Sequence, residues 1–308
     1  MATRCVALSG GVGGARLADG LYRALGPGRL QVVGNTADDF EHLGLHLSPD
    51  LDTLLYTLAG RGSEEQGWGR ADESWRCMEA LGELGGPTWF RLGDLDLATH
   101  LVRTGRLRGG QRLTRVTRDL ARALGVEAEL LPMCDEPVRT RVRTPQGWLD
   151  FQDWFVGRGH RDAILDLEFA GIEEARVTPE VLEALEGADL VVLGPSNPFV
   201  SLGPILAVPG LREALHRSRA RKLAVSPIVG GRALKGPAAA MLGSLGHEVS
   251  ALGVARLLAG GVDEFVLDEA DAALAPAVEA LGLVPRVLPT VMVGPEGRLA
   301  LGRRLLER

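Results

Sequence analysis

Short apolar runs alternate with longer amphipathic stretches along most of this chain. The runs that predict buried strands are Cys5–Leu8, Leu30–Val33, Asp189–Gly194, Lys222–Ser226 and Glu264–Leu267. The first two runs enclose a predicted helix at Gly14–Leu25, which makes a β-α-β unit of parallel strands. Strands that alternate with helices favour an α/β fold with a doubly wound, mostly parallel sheet of the Rossmann-like type.

The amphipathic stretches between the strands have apolar side chains at helical spacing. Gln111–Leu124 is an example, with Leu113, Val116, Leu120 and Leu124 on one face. Further helices are predicted at Asp52–Ala59, Trp75–Leu84, Asp96–Arg103, Pro204–His216, Gly236–Leu245 and Gly253–Ala259. These helices would cover the two faces of the sheet.

The stretch from about residue 130 to residue 170 has a different pattern. Val138–Arg143 alternates in polarity, a turn follows at Pro145–Gly147, and Trp148–Phe151 continues the alternation. Alternation on both sides of a turn is typical of a β-hairpin. We therefore expect a single α/β domain over residues 1–308, with a β-rich insert at about 130–170 that forms a small antiparallel β extension.

Composition and charge narrow the class of protein. The apolar fraction is 45%, the charged fraction is 24% and the net charge is −6, so we expect a soluble protein without a nucleic-acid partner. No apolar run approaches the ~18 residues that a membrane span needs, which predicts no membrane association. The three cysteines are far apart and predict neither a disulfide framework nor a metal site, which favours a cytoplasmic location.

Unusual loops follow several of the predicted strands. They are Ser9–Gly14, Gly34–Asp39, Gly194–Pro198 and Ser226–Gly231. Ligands of open α/β sheets bind in the crevice outside the carboxyl ends of the strands. We expect these loops to meet at one crevice.

The first loop has four glycines in five positions, Gly10, Gly11, Gly13 and Gly14. Glycines between a strand and a helix let backbone N–H groups approach an anion at the helix N-terminus, which predicts a phosphate site. Tight packing of the turn is the alternative. The spacing is too compressed for a dinucleotide fingerprint, and no Lys-Ser/Thr pair follows as in a P-loop.

Four aspartates follow this loop, namely Asp38, Asp39, Asp50 and Asp52. Carboxylates close to phosphate are the usual ligands of Mg²⁺ in proteins. Asp50 or Asp52 alone could instead cap a helix, since Pro49 is suited to the first helical position. Four carboxylates at one sheet edge nevertheless predict a magnesium site.

A second group of candidates lies between residues 89 and 100. Trp89 and Phe90 beside Arg91 suit a flat heteroaromatic ligand, although they are equally suited to a core. Asp94 could be a helix cap. His100 could be a general base, or a structural histidine within its helix.

The loops of the second half of the chain supply polar and cationic groups. Asn197, Ser226, Gly230 and Lys235 could hydrogen-bond a base and pair with phosphate, or belong to ordinary turns. No Ser-His-Asp or Cys-His arrangement is apparent, which argues against covalent nucleophilic catalysis.

These motifs together resemble the 2-phospho-L-lactate transferase family, that is, the CofD family with its actinobacterial FbiA members. The matching segments are Leu8–Ala18, Asn35–Asp39, Pro49–Gly60, Arg91–His100, Gly194–Pro204 and Ser226–Pro237. The resemblance thus covers nearly the whole chain. The gluconeogenesis-factor (YvcK-like) branch shares the glycine loop and the Ala-Asp-Asp element.

The resemblance implies a Mg²⁺-dependent transferase in coenzyme F420 biosynthesis. Its donor would be a guanosine-diphosphate-linked three-carbon acid, either 2-phospho-L-lactate or phosphoenolpyruvate, and its acceptor the deazaflavin Fo, with GMP released. Asp50 would be the catalytic residue, and Asp50, Arg91, Asp94 and His100 would bind Fo. The first glycine loop with Asn197, Ser226, Gly230 and Lys235 would bind the nucleotide, and Asp38, Asp39, Asp50 and Asp52 the metal.

Two alternatives belong to other classes of function. One is a non-catalytic regulator that binds a nucleotide sugar, as the YvcK-like branch implies. The other is a dinucleotide-dependent reductase, which the compressed glycine spacing argues against. A homodimer is the default expectation for the assembly.

Overall fold

A twisted sheet of seven parallel strands organises the computed structural model, which describes residues 3–307. The strands of the chain are β1 (Cys5–Ser9), β2 (Leu30–Gly34), β3 (Phe40–His42), β4 (Leu45–Leu47), β5 (Glu129–Pro132), β6 (Arg139–Thr144), β7 (Gly147–Asp150), β8 (Asp166–Ala170), β9 (Leu190–Leu193), β10 (Arg221–Val225), β11 (Ile228–Val229), β12 (Arg232–Ala233), β13 (Glu264–Asp268) and β14 (Val284–Leu288). The sheet has the order β14-β13-β10-β9-β1-β2-β5. Its strand order reverses between β1 and β9, which is where such folds bind ligands.

Helices cover both faces of this sheet. They are α1 (Gly11–Leu25), α2 (Pro49–Leu58), α3 (Arg76–Glu83), α4 (Asp94–Arg108), α5 (Leu113–Ala123), α6 (Pro179–Gly187), α7 (Leu202–Ala207), α8 (Leu211–Arg217), α9 (Ala238–Ser244), α10 (Ala251–Leu258), α11 (Ala275–Glu279) and α12 (Gly294–Leu306). A π-helical turn lies at Asp153–Gly157 and a 3₁₀ helix at Glu269–Leu274. The predicted doubly wound α/β fold is confirmed.

The apolar core is divided between the two faces of the sheet. In β1, Val6 and Leu8 pack into one buried cluster, whereas Cys5 and Ala7 pack into the other. Alternate side chains of a strand point to opposite faces, so a strand covered on both sides is apolar at nearly every position. This explains why the buried strands appear in the sequence as continuous apolar runs.

The structure differs from the sequence prediction in several features. The helix expected at Pro204–His216 is interrupted, because Gly210 has a φ of +92° and α7 and α8 are separate helices. The strand β5 belongs to the main sheet rather than to the insert, whose antiparallel strands β6, β7 and β8 begin at Arg139. The sequence analysis also missed β14 and α12 at the end of the chain.

The hairpin β3–β4 was also not predicted. It follows the Asn35–Asp39 loop directly and leads into α2. Within residues 3–307, no helix combines the length and the apolar character that a bilayer span requires.

Candidate active site

A cavity of about 880 Å³ lies at the carboxyl edge of the main sheet. Its lining includes Asp38, and the other contributing residues lie within segments 10–16, 47–56, 64–69, 89–100, 151–156, 195–201, 226–238 and 290–294. Both halves of the chain therefore form its walls, as the convergence of the strand loops predicts.

The glycine loop after β1 closely contacts the loop after β9. Gly10 N–H donates to Ser196 Oγ at 3.1 Å, and that hydroxyl donates to the Gly10 carbonyl at 2.8 Å. A Cβ at Gly10 would overlap Asp50 Oδ2, and one at Gly13 would overlap the Pro195 carbonyl. Close packing across the switch point thus accounts for part of the glycine requirement.

Gly11 and Gly14 have different reasons to be glycine. Gly11 has a φ of +63° with open space around the Cβ position, and its N–H donates to Asp50 Oδ1 at 2.7 Å. Gly14 packs against Ser196 and does not line the cavity. Gly10, Gly11 and Gly13 line it, so the N-terminus of α1 faces the cavity.

Asp50 connects three loops although it is the second residue of α2. Its Oδ1 accepts from the first N–H of α1, and its Oδ2 accepts from Asn35 Nδ2 at 2.9 Å. The same Asn35 amide donates to the Val200 carbonyl at 3.1 Å. Burial raises the pKa of Asp50 to about 6, despite the two hydrogen bonds, and Asp39 adds to the rise. Asp50 therefore caps a neighbouring helix and holds a cavity-facing carboxylate of raised pKa.

Asp38 is a second buried carboxylate on the same wall. Its Oδ1 accepts from Thr140 Oγ1 at 3.2 Å, and its backbone carbonyl accepts from Gln152 Nε2 at 3.4 Å. Burial, followed by repulsion from Asp50, raises the pKa of Asp38 well above its ordinary value. The insert thus supplies polar support for Asp38.

Asp39 faces away from this wall. Its Oδ2 accepts from Ser48 Oγ at 2.8 Å and lies 3.1 Å from His46 Nε2. Asp39 does not line the cavity. It braces the start of α2 and adds negative charge behind Asp50.

Asp52 is paired with a buried arginine. Arg103, which is 1% exposed, donates from Nη1 to Asp52 Oδ2 at 3.0 Å and from Nη2 to Asp52 Oδ1. Burial lowers the pKa of Arg103, but the charge and hydrogen bonds of Asp52 outweigh it and raise that pKa. Asp52 therefore already has a cation.

His100 lies between Asp52 and a second carboxylate, Asp96. His100 Nε2 is 3.2 Å from Asp96 Oδ1, and its Nδ1 is 3.7 Å from Asp52 Oδ2. Tyr56 Oη donates to Asp96 Oδ1 at 2.6 Å. Burial would raise the pKa of Asp96, but the hydrogen bond and charge of His100, with help from Tyr56 and Arg103, hold it below its ordinary value.

An aromatic wall lies beside this network. Trp89 and Phe90 pack edge to face with ring centroids 5.6 Å apart, and both line the cavity. Arg91 also lines it, with its guanidinium 4.1 Å from the ring centroid of Trp75. The sequence analysis left open whether these side chains bind a ligand or belong to a core. Phe90 packs on a small core cluster, whereas Trp89 is half-exposed in the cavity wall.

Asp94 does not line the cavity, in contrast to the expectation from the sequence. Its carboxylate accepts from Ser74 Oγ at 2.5 Å and from the Cys77 N–H at 3.1 Å. These hydrogen bonds, that of Ser74 being the strongest influence, lower the pKa of Asp94. Asp94 thus caps the start of α3, and Asp96 takes its place on the cavity wall.

Some of the predicted nucleotide-binding residues also line the cavity, and one does not. Asn197, Ser226 and Lys235 line the cavity, whereas Gly230 does not, because its N–H donates to Asp271 Oδ2 at 2.9 Å.

The side chains of these lining residues already have partners. Ser226 Oγ donates to the Ile228 carbonyl at 2.8 Å, and Asn197 Oδ1 accepts from the Phe199 N–H at 2.9 Å. Lys235 Nζ donates to the Gln66 carbonyl at 3.2 Å and remains exposed. Of the three, Lys235 is the one that can reach a ligand with little rearrangement.

Comparison with known proteins identifies the family. The family described as "2-phospho-L-lactate transferase CofD" matches residues 5–280. The chain belongs to the CofD family. It is therefore an enzyme of the 2-phospho-L-lactate transferase type, and the alternative of a non-catalytic regulator is not supported.

Two relatives of this CofD-family chain have different names. A 2-phospho-L-lactate transferase of Methanosarcina acetivorans is 43% identical over 291 residues, which cover 94% of each chain. A phosphoenolpyruvate transferase of Kitasatospora aureofaciens is 44% identical over 313 residues, which cover 98% of this chain and 97% of that one. A crystal structure of a UPF0052-family protein of Bacillus halodurans shares the fold, with a TM-score of 0.65, 16% identity and coverage of 100% of this chain and 99% of that one.

The sequence analysis of this CofD-family chain missed several cavity residues. Phe151 and Phe155 of the insert stack with centroids 5.4 Å apart and line the cavity beside Gln152. Arg16, the 64–69 loop and residues 290–294 also contribute. The spacing of Phe151, Trp154 and Phe155 next to the hairpin was a usable signal for the insert, whereas the two loops have no distinctive pattern.

Proposed function

We propose that this chain transfers a 2-phospho-L-lactate or phosphoenolpyruvate unit from a guanosine-diphosphate-linked donor to the deazaflavin Fo, with release of GMP. The names of the two relatives support a phosphorylated three-carbon acid and leave its identity open. Membership of the CofD family supports the proposed donor, acceptor and place in coenzyme F420 biosynthesis. The cytoplasmic location and the homodimer remain predictions.

The observation that carries this proposal is the division of one cavity into two kinds of wall. One wall has the N-terminus of α1 with Asp38 and Asp50, which suits phosphate together with a cation. The other has Trp89, Phe90 and the insert aromatics, which suit a flat ring system. A transferase that joins a nucleotide-linked phosphate to a deazaflavin needs both.

Asp38 and Asp50 are the residues that fit Mg²⁺ best. They are buried, they face the cavity, and repulsion between them contributes to the raised pKa of Asp38, so a cation would relieve that repulsion. Asp39 and Asp52 fit less well, because Asp39 faces away and Asp52 is paired with Arg103. Mg²⁺ would neutralise charge on the diphosphate, and sites of this kind use one or two carboxylates with phosphate oxygens.

Asp50 is our candidate for the residue that orients the acceptor hydroxyl and takes its proton. Its carboxylate faces the cavity beside the start of α1, so a hydroxyl bound there could donate its proton to Asp50. As the terminal ribityl oxygen of Fo bonds to the donor phosphorus, the bond between that phosphorus and the bridging oxygen breaks, and GMP leaves. Positioning and charge neutralisation supply most of the rate in such reactions.

The other predicted residues take roles that follow from their positions. The N–H groups of Gly10 and Gly11 already donate to Ser196 and Asp50, so the next N–H groups of α1, those of Val12 and Gly13, would hold the donor phosphates together with Lys235. Asn197 and Ser226 would shape the same wall. Arg91 and the network of His100 and Asp96 would line the Fo side.

A mass-resolved assay tests the proposal. Purified protein with Fo, Mg²⁺ and each of the two GTP-derived donors should give a product heavier by the three-carbon phospho-acid, with GMP as the nucleotide product. GDP as the main nucleotide, or no transfer from either donor, would contradict the proposed reaction.

A further inference from the structure

A side pocket of about 210 Å³ adjoins the main cavity. The two share the lining residues Val12, Arg16, Thr53 and Glu64, with Trp68 and Gly69 of the loop that covers them. The side pocket lies along α1, beyond its first turn. None of the roles proposed above uses it.

Arginines dominate the charge of this side pocket. Arg23 pairs with Asp19 at 2.8 Å, and Arg298 pairs with Asp19 at 3.3 Å and with Glu64. Arg16 also lines the pocket, and among residues 3–307 no carboxylate lies within 4 Å of its guanidinium. Three guanidinium groups thus face two carboxylates, which leaves one positive charge unmatched.

Arg298 gives a second, independent indication that this pocket binds an anion. This side chain is 4% exposed, and its Nε–H has no acceptor within the described part of the chain. Its position is fixed, because α1 and α12 cross so closely that a Cβ at Gly20 would overlap the Arg298 carbonyl. A buried donor without a partner is costly, so an anionic acceptor in this pocket would be stabilising.

The side pocket lies one helical turn along α1 from the proposed site of the donor phosphates. Arg16 is four residues after Val12 and lies on the same face, one turn or about 5.4 Å beyond the N-terminal N–H groups. A short acid substituent on a phosphate bound at those N–H groups could therefore reach Arg16. In a 2-phospho three-carbon acid, the carboxylate carbon is two bonds beyond the ester oxygen.

We infer that the side pocket binds the carboxylate of the donor's three-carbon acid, with Arg16 as its main partner and Arg298 as a second donor. This inference rests on the proposed function. It makes Arg16 a specificity residue that accepts both 2-phospho-L-lactate and phosphoenolpyruvate and disfavours phosphate esters without a carboxylate.

Calorimetry with the two halves of the donor tests this inference. Phosphoenolpyruvate is titrated into full-length protein that is saturated with GMP and Mg²⁺. Arg16→Gln should weaken phosphoenolpyruvate binding at least ~10-fold, as expected for loss of a charge-assisted hydrogen bond, and should leave GMP binding unchanged. Arg16→Lys should recover part of the affinity, and Arg122→Gln, a change at an exposed arginine of α5, is the matched control.

Two outcomes would overturn the carboxylate site. One is phosphoenolpyruvate binding to Arg16→Gln with the wild-type affinity, and the other is equally tight wild-type binding of ethyl phosphate, which lacks the carboxylate. Wild-type protein that binds neither GMP nor phosphoenolpyruvate would instead contradict the proposed function itself.

Discussion

Two sets of buried carboxylates line the same cavity and differ in one respect. Asp52 forms an ion pair with buried Arg103, and Asp96 lies 3.2 Å from His100 Nε2 and accepts from Tyr56 Oη. Within residues 3–307, the donors to Asp38 and Asp50 are neutral and include Asn35, Thr140 and the Gly11 N–H. The first set therefore includes a cationic partner, whereas the second has none among the residues that the structure describes.

The pKa directions express the same difference. The pKa of Asp96 lies below its ordinary value, while those of Asp38 and Asp50 lie above it. A buried carboxylate without a cation is destabilising when charged. We propose that a ligand or a metal supplies a positive charge at the Asp38 and Asp50 wall, and this is the wall to which we assign the chemistry.

Asp50→Asn should have the largest effect on activity. Transfer to Fo should fall at least ~100-fold, equivalent to about 3 kcal/mol of transition-state stabilisation, because both the metal ligand and the proton acceptor are altered. Steady-state product formation, followed by Fo fluorescence after chromatography, measures this. Asp166→Asn, at a half-exposed carboxylate of β8, is the control and should retain wild-type activity. Near-normal turnover of Asp50→Asn would show that Asp50 only caps the helix α1 and takes no part in the transfer.

Asp52→Asn should instead act mainly on stability. The free energy of unfolding should fall by about 3 kcal/mol, because Arg103 keeps its buried charge and loses its carboxylate partner. Urea denaturation of the single variant and of the double variant Asp52→Leu/Arg103→Met measures this, and the double variant should recover much of the loss. An unchanged free energy of unfolding in Asp52→Asn would mean that the Asp52–Arg103 pair does not stabilise the fold.

Much of this fold could be predicted from the sequence. The runs at β1, β2, β9, β10 and β13 are largely apolar because helices cover both faces of the sheet, so the pattern identifies them. The strand β14 was missed because it is an edge strand with exposed Val284 and Val287 and with Pro285 between them. Its pattern is that of a loop.

For the candidate site, the sequence could predict which segments meet but not which of their side chains face the cavity. The spacing of the motifs predicted that Asp38, Asp50 and Asp52 lie at one edge of the sheet. It could not predict that Arg103, 51 residues after Asp52 in the sequence, pairs with Asp52. It likewise favoured Asp94 over Asp96, because both stand in the first turn of α4 and only the fold decides which faces the cavity. Partners distant in sequence decide which aspartate is free.

Lys235→Ala and Arg91→Ala should separate the two walls with smaller effects. Lys235→Ala should weaken GDP binding about tenfold and spare Fo, because it removes a phosphate cation. Arg91→Ala should weaken Fo binding by a similar factor, about tenfold, and spare GDP, since Arg91 stacks on Trp75 beside the aromatic wall. Calorimetry with GDP and fluorescence titration with Fo check both, and an effect on the opposite ligand would reverse the assignment of the walls.

Metal binding by the protein alone tests most directly the claim that the two carboxylate sets differ. Mn²⁺ can stand in for Mg²⁺, and electron paramagnetic resonance counts its free and bound forms. Wild-type protein should bind one Mn²⁺, Asp50→Asn should bind it at least ~10-fold more weakly, and His100→Asn should bind it as the wild type does. The alternative metal site consists of Asp52, Asp96 and His100, whose possible ligand atoms lie within 4.8 Å of one another. If Mn²⁺ bound there, the effects of the two variants would be reversed. Loss of Mn²⁺ binding in His100→Asn with retention in Asp50→Asn would contradict our account.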